Sequence, residues 1–265
     1  HQDHLGAPGN RRNRRDPMGL FSLIERDGLT IGTLVDRGFW FIGKKGATQK
    51  SYEKAVGRWL KKGIAKRRRI VKPGDTIDMG QGLDVKVLSA AGNGVLGRME
   101  SLYPDFITTA RPSENDYSVG LKITLGDFEM FSAGDLSGKN VVRIHGPSKE
   151  SYTDIETRIY REVGPIEFYR VNHHGSRHST NPCFAQTLRP QVSVFSTGYN
   201  KYGHPDPGVY TALNRYGDVY ITGGVDPRRE RHIDKADIVG DDVEVLVAGD
   251  GGRFWVNGKE YRSRN

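Results

Sequence analysis

Cysteine and long apolar runs are nearly absent from this chain. Cys183 is the single cysteine among 265 residues, which excludes an intramolecular disulfide and a zinc site built from several cysteines. No apolar stretch approaches the roughly 20 residues of a membrane-spanning helix, and no signal peptide stands at the start. We therefore expect no membrane span, while the compartment (cytoplasm or export) and the oligomeric state stay open.

Hydrophobic residues are modest in number and glycine is abundant. The hydrophobic fraction is 35% and the chain holds 34 glycines, a balance that indicates many tight turns between short strands. The formal net charge is +8. Such an excess either keeps a protein soluble or attracts an anionic partner, such as nucleic acid, a phosphorylated small molecule or an anionic membrane surface.

Apolar periodicity predicts the secondary structure. Thr48–Lys62 carries Tyr52, Val56 and Trp59 at helical spacing, which predicts an amphipathic helix. Alternating apolar and polar residues predict hairpins that join Asp75–Met79 to Leu83–Ser89, Tyr117–Leu125 to Phe128–Ala133, and Val243–Ala248 to Arg253–Val256. Further strands are predicted at Thr30–Val35, Glu167–Val171, Val192–Thr197 and Val219–Thr222. Further helices are predicted at Gly19–Arg26, Lys149–Glu162, Pro182–Leu188 and Pro207–Tyr216.

This order of elements indicates an α/β (α+β) fold in a single domain over residues 1–265. Because hairpins join most of the predicted strands, two mixed or antiparallel sheets with helices on their outer faces are favoured over a doubly wound parallel sheet. The segment Ala91–Pro112 is irregular and is predicted to be a surface insertion.

Basic side chains concentrate around the predicted helix Thr48–Lys62. They are Lys50, Lys54, Arg58, Lys61 and Lys62, followed by the run Lys66–Arg69. A stripe of this kind is either a solvated helix face or a surface that faces nucleic acid. The sequence leaves both interpretations open.

The first four residues hold three side chains that can bind a metal ion. His1, Asp3 and His4 are followed by Gly6, and a tight loop would let all three converge on one point. Imidazole and carboxylate together suit zinc, manganese or iron. We therefore take His1, Asp3 and His4 as candidate metal ligands.

Two later segments carry further candidate ligands at the ends of predicted strands. Asp135 follows a strand and a glycine, and one carboxylate can bridge two cations with its two oxygens. His173 and His174 follow the strand Glu167–Val171. Since adjacent residues of a strand face opposite ways, one imidazole can bind metal while the other contacts substrate or supports a ligand.

Polar residues beside these histidines are candidates for substrate binding. Ser176 and Arg177 could hold a phosphate. Tyr199 and Asn200 lie in the loop after the strand Val192–Thr197. His204, in the same loop, is a candidate metal ligand, general acid or oxyanion stabiliser.

The order of these motifs resembles the metallo-β-lactamase superfamily. The motifs are His-x-Asp-His at residues 1–4, Gly-Asp at 134–135, His-His-Gly-Ser at 173–176 and Gly-His-Pro at 203–205. More narrowly, the chain resembles the C-terminal hydrolase domain of ComEC-type DNA-uptake proteins and their free-standing relatives. Lys72-Pro73-Gly74-Asp75, the segment Glu114–Ser118 and the closing segment Gly249–Val256 add to the resemblance.

The resemblance implies an αββα sandwich with two divalent metal ions, zinc first, with manganese or iron as alternatives. It implies that His1 binds one metal, that Asp3 and His4 bind the other, and that Asp135 bridges them. His173 or His174 would complete the ligand set. Asp3 and His204 would take part in catalysis and Asn115 would contact the substrate, with a metal-held water or hydroxide as nucleophile.

The superfamily motif usually reads His-x-His-x-Asp-His, and this chain begins at the position of the second histidine. We therefore expect the natural protein to extend upstream, with a histidine two positions before His1 and the N-terminal strands of the first sheet. The expected activity is phosphodiester hydrolysis, most simply on nucleic acid. The alternatives are hydrolysis of a small ester, lactone, β-lactam or organophosphate, and a degenerate, non-catalytic domain that binds nucleic acid.

Overall fold

The computed structural model describes residues 2, 5–9, 16–41, 45–91, 111–142, 150–200, 202–225 and 227–264. These residues form a mixed α and β fold, as the sequence predicted. The chain divides into two compact units, His1–Val71 and Lys72–Asn265. Within the described ranges, no helix combines the length and the apolar character needed to cross a bilayer.

The first unit is built around a strand-helix-strand arrangement. Its elements are β1 (Gly6–Ala7), β2 (Met18–Gly19), α1 (Leu20–Glu25), β3 (Ile31–Asp36), α2 (Ala47–Lys61) and β4 (Ala65–Ile70). Strands β3 and β4 pair in parallel, and β1 pairs with β2 antiparallel. Both predicted helices and the predicted strand of this unit are confirmed to within one residue at each end. The basic run Lys66–Arg69 lies in β4, a strand that the sequence did not predict.

The apolar side of α2 forms the centre of the first unit. Trp59 is fully buried and its ring centroid lies 5.6 Å from that of Phe21. The buried carboxylate of Asp36 accepts a hydrogen bond from the Tyr52 hydroxyl at 2.8 Å and one from Arg68 at 2.9 Å. These contacts fix one face of α2 against the β3–β4 pair and leave the opposite face to solvent.

The second unit contains most of the strands. They are β5 (Thr76–Asp78), β6 (Asp84–Ser89), β7 (Arg111–Pro112), β8 (Gly120–Leu125), β9 (Phe128–Ser132), β10 (Val141–Val142), β11 (Glu150–Tyr152), β12 (Phe168–Arg170), β13 (Val192–Phe195), β14 (Asp218–Ile221), β15 (Val245–Val247), β16 (Arg253–Val256) and β17 (Lys259–Arg262). Its helices are α3 (Glu156–Val163), α4 (Pro182–Leu188), α5 (Pro207–Asn214) and α6 (Pro227–Glu230). Short 3₁₀ turns cover Glu114–Tyr117, Asn172–Gly175 and Lys235–Asp237.

A seven-stranded mixed sheet dominates this unit, in the order β14-β13-β12-β9-β8-β6-β5. The predicted hairpins β5–β6, β8–β9 and β15–β16 are confirmed as antiparallel pairs. The other half of the sheet is parallel, because β12 pairs in parallel with β9 and β13, and β13 with β14. Helices α3, α4 and α5 lie between these strands in the chain and supply the crossovers that parallel pairing requires.

The two faces of the sheet pack against different partners. On one face, Phe128, Phe168 and Val194 pack against Phe254 and Val256 of β16. On the other face, Phe131 and Tyr169 approach Phe184 of α4, with ring centroids 5.6 and 6.0 Å apart. Burial on both faces holds β9, β12 and β13 side by side, so their carboxyl ends meet at one edge.

The predicted helix Lys149–Glu162 is wrong in its first half. Strand β11 occupies Glu150–Tyr152, and α3 begins only at Glu156. The reason is that tertiary contacts engage the intervening backbone. The N–H of Thr153 donates to the buried Asp116 carboxylate at 2.9 Å, and the N–H of Ile155 donates to the Ser137 carbonyl at 3.0 Å. Lys149, and residues 92–110 of the predicted insertion, lie outside the described residues.

Candidate functional site

Loops that follow three neighbouring parallel strands meet at one edge of the seven-stranded sheet. Asp135 follows β9, the histidine pair follows β12, and His204 lies in the loop after β13. The N–H of His173 donates to the Gly134 carbonyl at 2.8 Å, which ties the first two loops together. The N–H of Asp206 donates to the Gly175 carbonyl at 2.8 Å and ties in the third. The carboxyl edge of parallel strands is where α/β sheets usually bind ligands.

Four predicted side chains converge at this edge. Nε2 of His174 lies 3.4 Å from Oδ1 of Asp135. The ring centroid of His204 is 5.5 Å from that of His173 and 6.4 Å from that of His174. Asp135 is almost fully buried, at 4% exposure, so its negative charge is directed into the cluster.

The histidine pair lies in a turn and does not continue the strand. His173 and His174 have φ angles of 50° and 54°, in the left-handed region that few residues other than glycine adopt. Gly175 follows with a φ of +76°, and a Cβ there would lie 2.5 Å from the Phe195 ring. Only glycine fits that close approach. The strand alternation expected for the pair is therefore wrong, and the two ring centroids lie 6.5 Å apart in the cluster.

His174 is held in one tautomer. Its Nδ1 lies 2.6 Å from the Ser196 carbonyl oxygen. Because a carbonyl can only accept, Nδ1 must donate, which leaves the lone pair of neutral His174 on Nε2, the atom that faces Asp135. Metal-binding histidines are commonly oriented by such a hydrogen bond from the second ring nitrogen.

His173 is engaged differently. Its Nε2 lies 3.3 Å from Nδ2 of Asn115, and an amide nitrogen can only donate, so Nε2 accepts. The ring also lies beside Tyr152, with centroids 6.2 Å apart. The structure thus brings Asn115, which the sequence placed at the substrate, into contact with the first histidine of the pair.

His204 is positioned by Asn200. The Asn200 amide oxygen accepts from the N–H of His204 at 3.1 Å, and its nitrogen donates to the His204 carbonyl at 2.9 Å. Burial, and secondarily the neighbouring His174, lower the pKa of His204, which favours the neutral ring. The exposed Tyr202 ring stacks on it with centroids 6.1 Å apart.

The remaining predicted substrate-binding residues differ in their exposure to solvent. Ser176 is buried at 2% exposure, and its hydroxyl accepts from the N–H of His178 at 3.3 Å, so it braces the turn. Arg177 is exposed and its Nε lies 3.4 Å from Nε2 of His178. Tyr199 is exposed at 77%. Arg177 and Tyr199 are therefore the members of this set that solvent can reach.

Two buried carboxyl groups support the site, and the sequence did not single them out. Asp116 accepts from the N–H groups of Ser113 and Thr153 at 3.1 and 2.9 Å, which fixes the turn that carries Asn115. The spacing of Ser113 and Asp116 is that of a capping box, a signal the sequence did contain. Glu156 accepts from the Asn172 amide at 2.9 Å, next to the histidine pair, and nothing local in the sequence marks it.

Because Asp116 and Glu156 are buried, we predict that the free energy of unfolding depends on pH. Burial raises the pKa of Asp116 to about 8 and that of Glu156 to about 7. In the unfolded chain both groups titrate near pH 4. Between roughly pH 4.5 and 8 the folded protein therefore holds protons that the unfolded chain has lost, so the free energy of unfolding falls as pH rises.

Urea denaturation at a series of pH values between about 5 and 8 checks this prediction. We expect several kcal/mol of stability to be lost across that window, and Asp116→Asn and Glu156→Gln should each flatten the slope. Asp127→Asn, at an exposed turn, should keep the parent slope. A parent protein whose stability rises towards pH 8 would contradict the prediction.

The N-terminal candidate ligands His1, Asp3 and His4 lie outside the described residues. Gln2, between them, is described, and its side chain donates to the Gly38 carbonyl at 2.9 Å. Among the residues that the structure describes, no three His, Cys, Asp or Glu side chains are grouped closely enough to hold a metal ion by themselves. Of the five ligands that the resemblance implies, three therefore lie outside those residues.

Comparison with known proteins gives one partial similarity. The chain is 34% identical over 80 residues to Recombination protein 2 of Haemophilus influenzae. The matched stretch covers 30% of this chain and 10% of that protein, so the chain spans only a small part of its relative. No known family profile matches the chain.

Proposed function

We propose that the chain is a metal-dependent phosphodiesterase of the nuclease class. The observation that carries this proposal is the pairing of Asp135 with His174. The Ser196 carbonyl holds Nδ1 of His174 at 2.6 Å, and Nε2 faces the buried carboxylate at 3.4 Å. A carboxylate and an imidazole nitrogen presented together in this way form a typical pair of ligands for a divalent cation.

The donor chemistry fits the two cations that the resemblance implies. Asp135 can bridge two ions with its two oxygens, and His174 rather than His173 is the proposed ligand, because Asn115 engages Nε2 of His173. The resemblance assigns the other ligands to His1, Asp3 and His4. Zinc, manganese and iron all accept these donors. Bound cations would supply Lewis acidity that activates water and neutralises charge on a phosphate.

The chain's own residues would bind and orient the phosphodiester. The neutral His204 ring, on a backbone that Asn200 fixes, can donate a hydrogen bond to a phosphate oxygen. Asn115 holds the His173 ring in place. Arg177, exposed beside the cluster, offers a cation to the phosphate.

Nucleic acid is the proposed substrate class. The net charge of +8 favours a polyanion. The relative that matches part of the chain is named for recombination, a process of nucleic acids. We also propose the αββα sandwich for the fold, supported by the mixed sheet of the second unit, which has an antiparallel half and a parallel half covered by helices.

Hydrolysis assays with the full chain test this proposal. After loading with zinc or manganese, the protein should hydrolyse bis(p-nitrophenyl) phosphate and DNA, and a chelator should abolish the activity reversibly. Elemental analysis should find bound metal. A lactone and a β-lactam serve as competing substrates. Turnover of either one without phosphodiester hydrolysis would favour the small-molecule alternative, and DNA binding without metal or hydrolysis would favour a non-catalytic domain.

A further inference from the structure

The solvent-facing side of α2 carries a row of cations. Lys50, Lys54, Arg58 and Lys61 are spaced by four, four and three residues, so they project from one face of the helix. At 1.5 Å of rise per residue, the row is about 16 Å long. The row is therefore long enough to contact several phosphates of one nucleic-acid strand, whose charges lie about 3.4 Å apart along a duplex axis.

Most of this positive charge is not neutralised within the protein. Arg58 pairs with Glu25, and the acidic residue of α2, Glu53, pairs with Lys45 outside the helix. Within the described part of the chain, no ion pair engages Lys50, Lys54 or Lys61. We call these three residues the lysine row.

Lys50 and Lys54 of the lysine row work against their own helix, whereas Lys61, in the last turn, suits the helix dipole. Like charges four residues apart repel and cost a helix a few tenths of a kcal/mol per pair. The first turn of α2 carries no acidic residue that would offset them. Lys50 and Lys54 therefore add nothing to the stability of α2, and their charge is available to an anionic partner.

The shape of α2 favours nucleic acid over an anionic membrane. A helix that lies on a membrane needs an exposed apolar face. The apolar residues of α2, chiefly Tyr52, Val56 and Trp59, are buried in the core of the first unit. Within α2, which is described in full, the only large apolar side chain at the surface is Leu60, at 37% exposure. The exposed face can therefore attract a polyanion by charge but has little to insert into lipid.

We propose that the lysine row of α2 binds the phosphate backbone of nucleic acid. This proposal extends the proposed function by naming where the nucleic acid is held, and it needs no hydrolysis to be observed. Contacts between lysine and phosphate carry no base information, so we expect binding without sequence preference and with a strong dependence on salt.

Fluorescence anisotropy with the full chain in a chelator tests the proposal. The probes are a labelled single-stranded oligonucleotide and the matching duplex, each measured across a salt series. Lys50→Gln/Lys54→Gln should weaken binding by about tenfold at low salt and reduce the slope of log affinity against log salt by about two. If the variant loses more affinity for one of the two probes, single-stranded or duplex, that probe is the form of DNA that the lysine row binds.

The matched control is Arg253→Gln/Arg262→Gln, which removes the same charge from cross-strand neighbours in the hairpin β16–β17. It should leave the salt slope within error of the parent. An equal loss in both variants, or no loss in the first, would overturn the proposal, as would a loss of binding to anionic lipid vesicles with DNA affinity unchanged. Far-UV circular dichroism confirms that both variants fold. Because a chelator is present, these binding measurements do not depend on hydrolysis. Failure of the metal-loaded protein to hydrolyse phosphodiesters, in the separate assay, would therefore count only against the proposed function.

Discussion

Asp135→Asn should abolish phosphodiester hydrolysis, with kcat/KM for bis(p-nitrophenyl) phosphate falling about a thousandfold or more. The substitution preserves the shape of the side chain and removes its negative charge. Asp135 is 4% exposed and faces Nε2 of His174 at 3.4 Å, so the substitution removes a negative charge that the proposed cations need at that position. Metal content, measured by elemental analysis, should fall together with activity.

A second Gly-Asp pair in the same sheet provides the control. Gly126-Asp127 forms the turn between β8 and β9 and is exposed, whereas Gly134-Asp135 follows β9 at the opposite end of that strand. Asp127→Asn should therefore leave metal content and kcat/KM at the parent values. Full activity in Asp135→Asn, with thermal unfolding unchanged, would remove Asp135 from the centre and with it the proposed ligand set.

The elements that the sequence predicted well are those set by local pattern. Helix α2 and the hairpin β8–β9 follow from spacing within about 15 residues, where apolar periodicity acts directly. The parallel pairings of β12 with β9 and β13 were not predicted. They join residues that are distant in the chain, and short apolar runs do not indicate whether a neighbouring strand runs parallel or antiparallel.

The candidate site likewise has features that local sequence pattern reveals and features that only tertiary contacts decide. Asp135, His174, His173 and His204 were found from residue type and from their positions after strands, and the structure brings them together. The choice between the two adjacent histidines could not be made from sequence. The proposed choice of His174 rests on contacts from other parts of the chain: Asn115 engages Nε2 of His173, and the Ser196 carbonyl, just after β13, engages Nδ1 of His174. Tertiary contacts of this kind leave no mark in the local pattern.

Glu156 supports the candidate site in a way that no local sequence pattern reveals. We expect its substitution to have a large effect on stability. The carboxylate is fully buried and accepts from the Asn172 amide at 2.9 Å and the N–H groups of Thr180 and Asn181 at 2.7 and 2.8 Å. A Cβ at Gly138 would lie 1.9 Å from it, so the loop after β9 also packs directly against it. One side chain thus fixes both loops that carry Asp135 and the histidine pair.

Glu156→Ala should lower the free energy of unfolding by about 3–5 kcal/mol, because three buried donors lose their acceptor. Glu156→Gln should cost less, about 1–3 kcal/mol, since its amide oxygen still accepts from Asn172 and Thr180 while its NH₂ group faces the N–H of Asn181. Urea denaturation at constant pH measures both values. A loss below about 1 kcal/mol in the alanine variant would show that the three donors find other acceptors.

A role in positioning the site requires a second measurement. We expect Glu156→Ala, at temperatures where it is folded, to bind zinc about tenfold more weakly, because Asn172 immediately precedes His173 and loses its anchor. Glu167→Ala is the matched control. Glu167 is also a buried carboxylate, and it accepts from the N–H groups of Glu129 and Arg264 at 3.0 and 3.2 Å, with no bond to the histidine loop. Both variants should lose stability, and only Glu156→Ala should lose zinc affinity. Equal zinc affinity in the two variants would show that Glu156 stabilises the core without positioning the site.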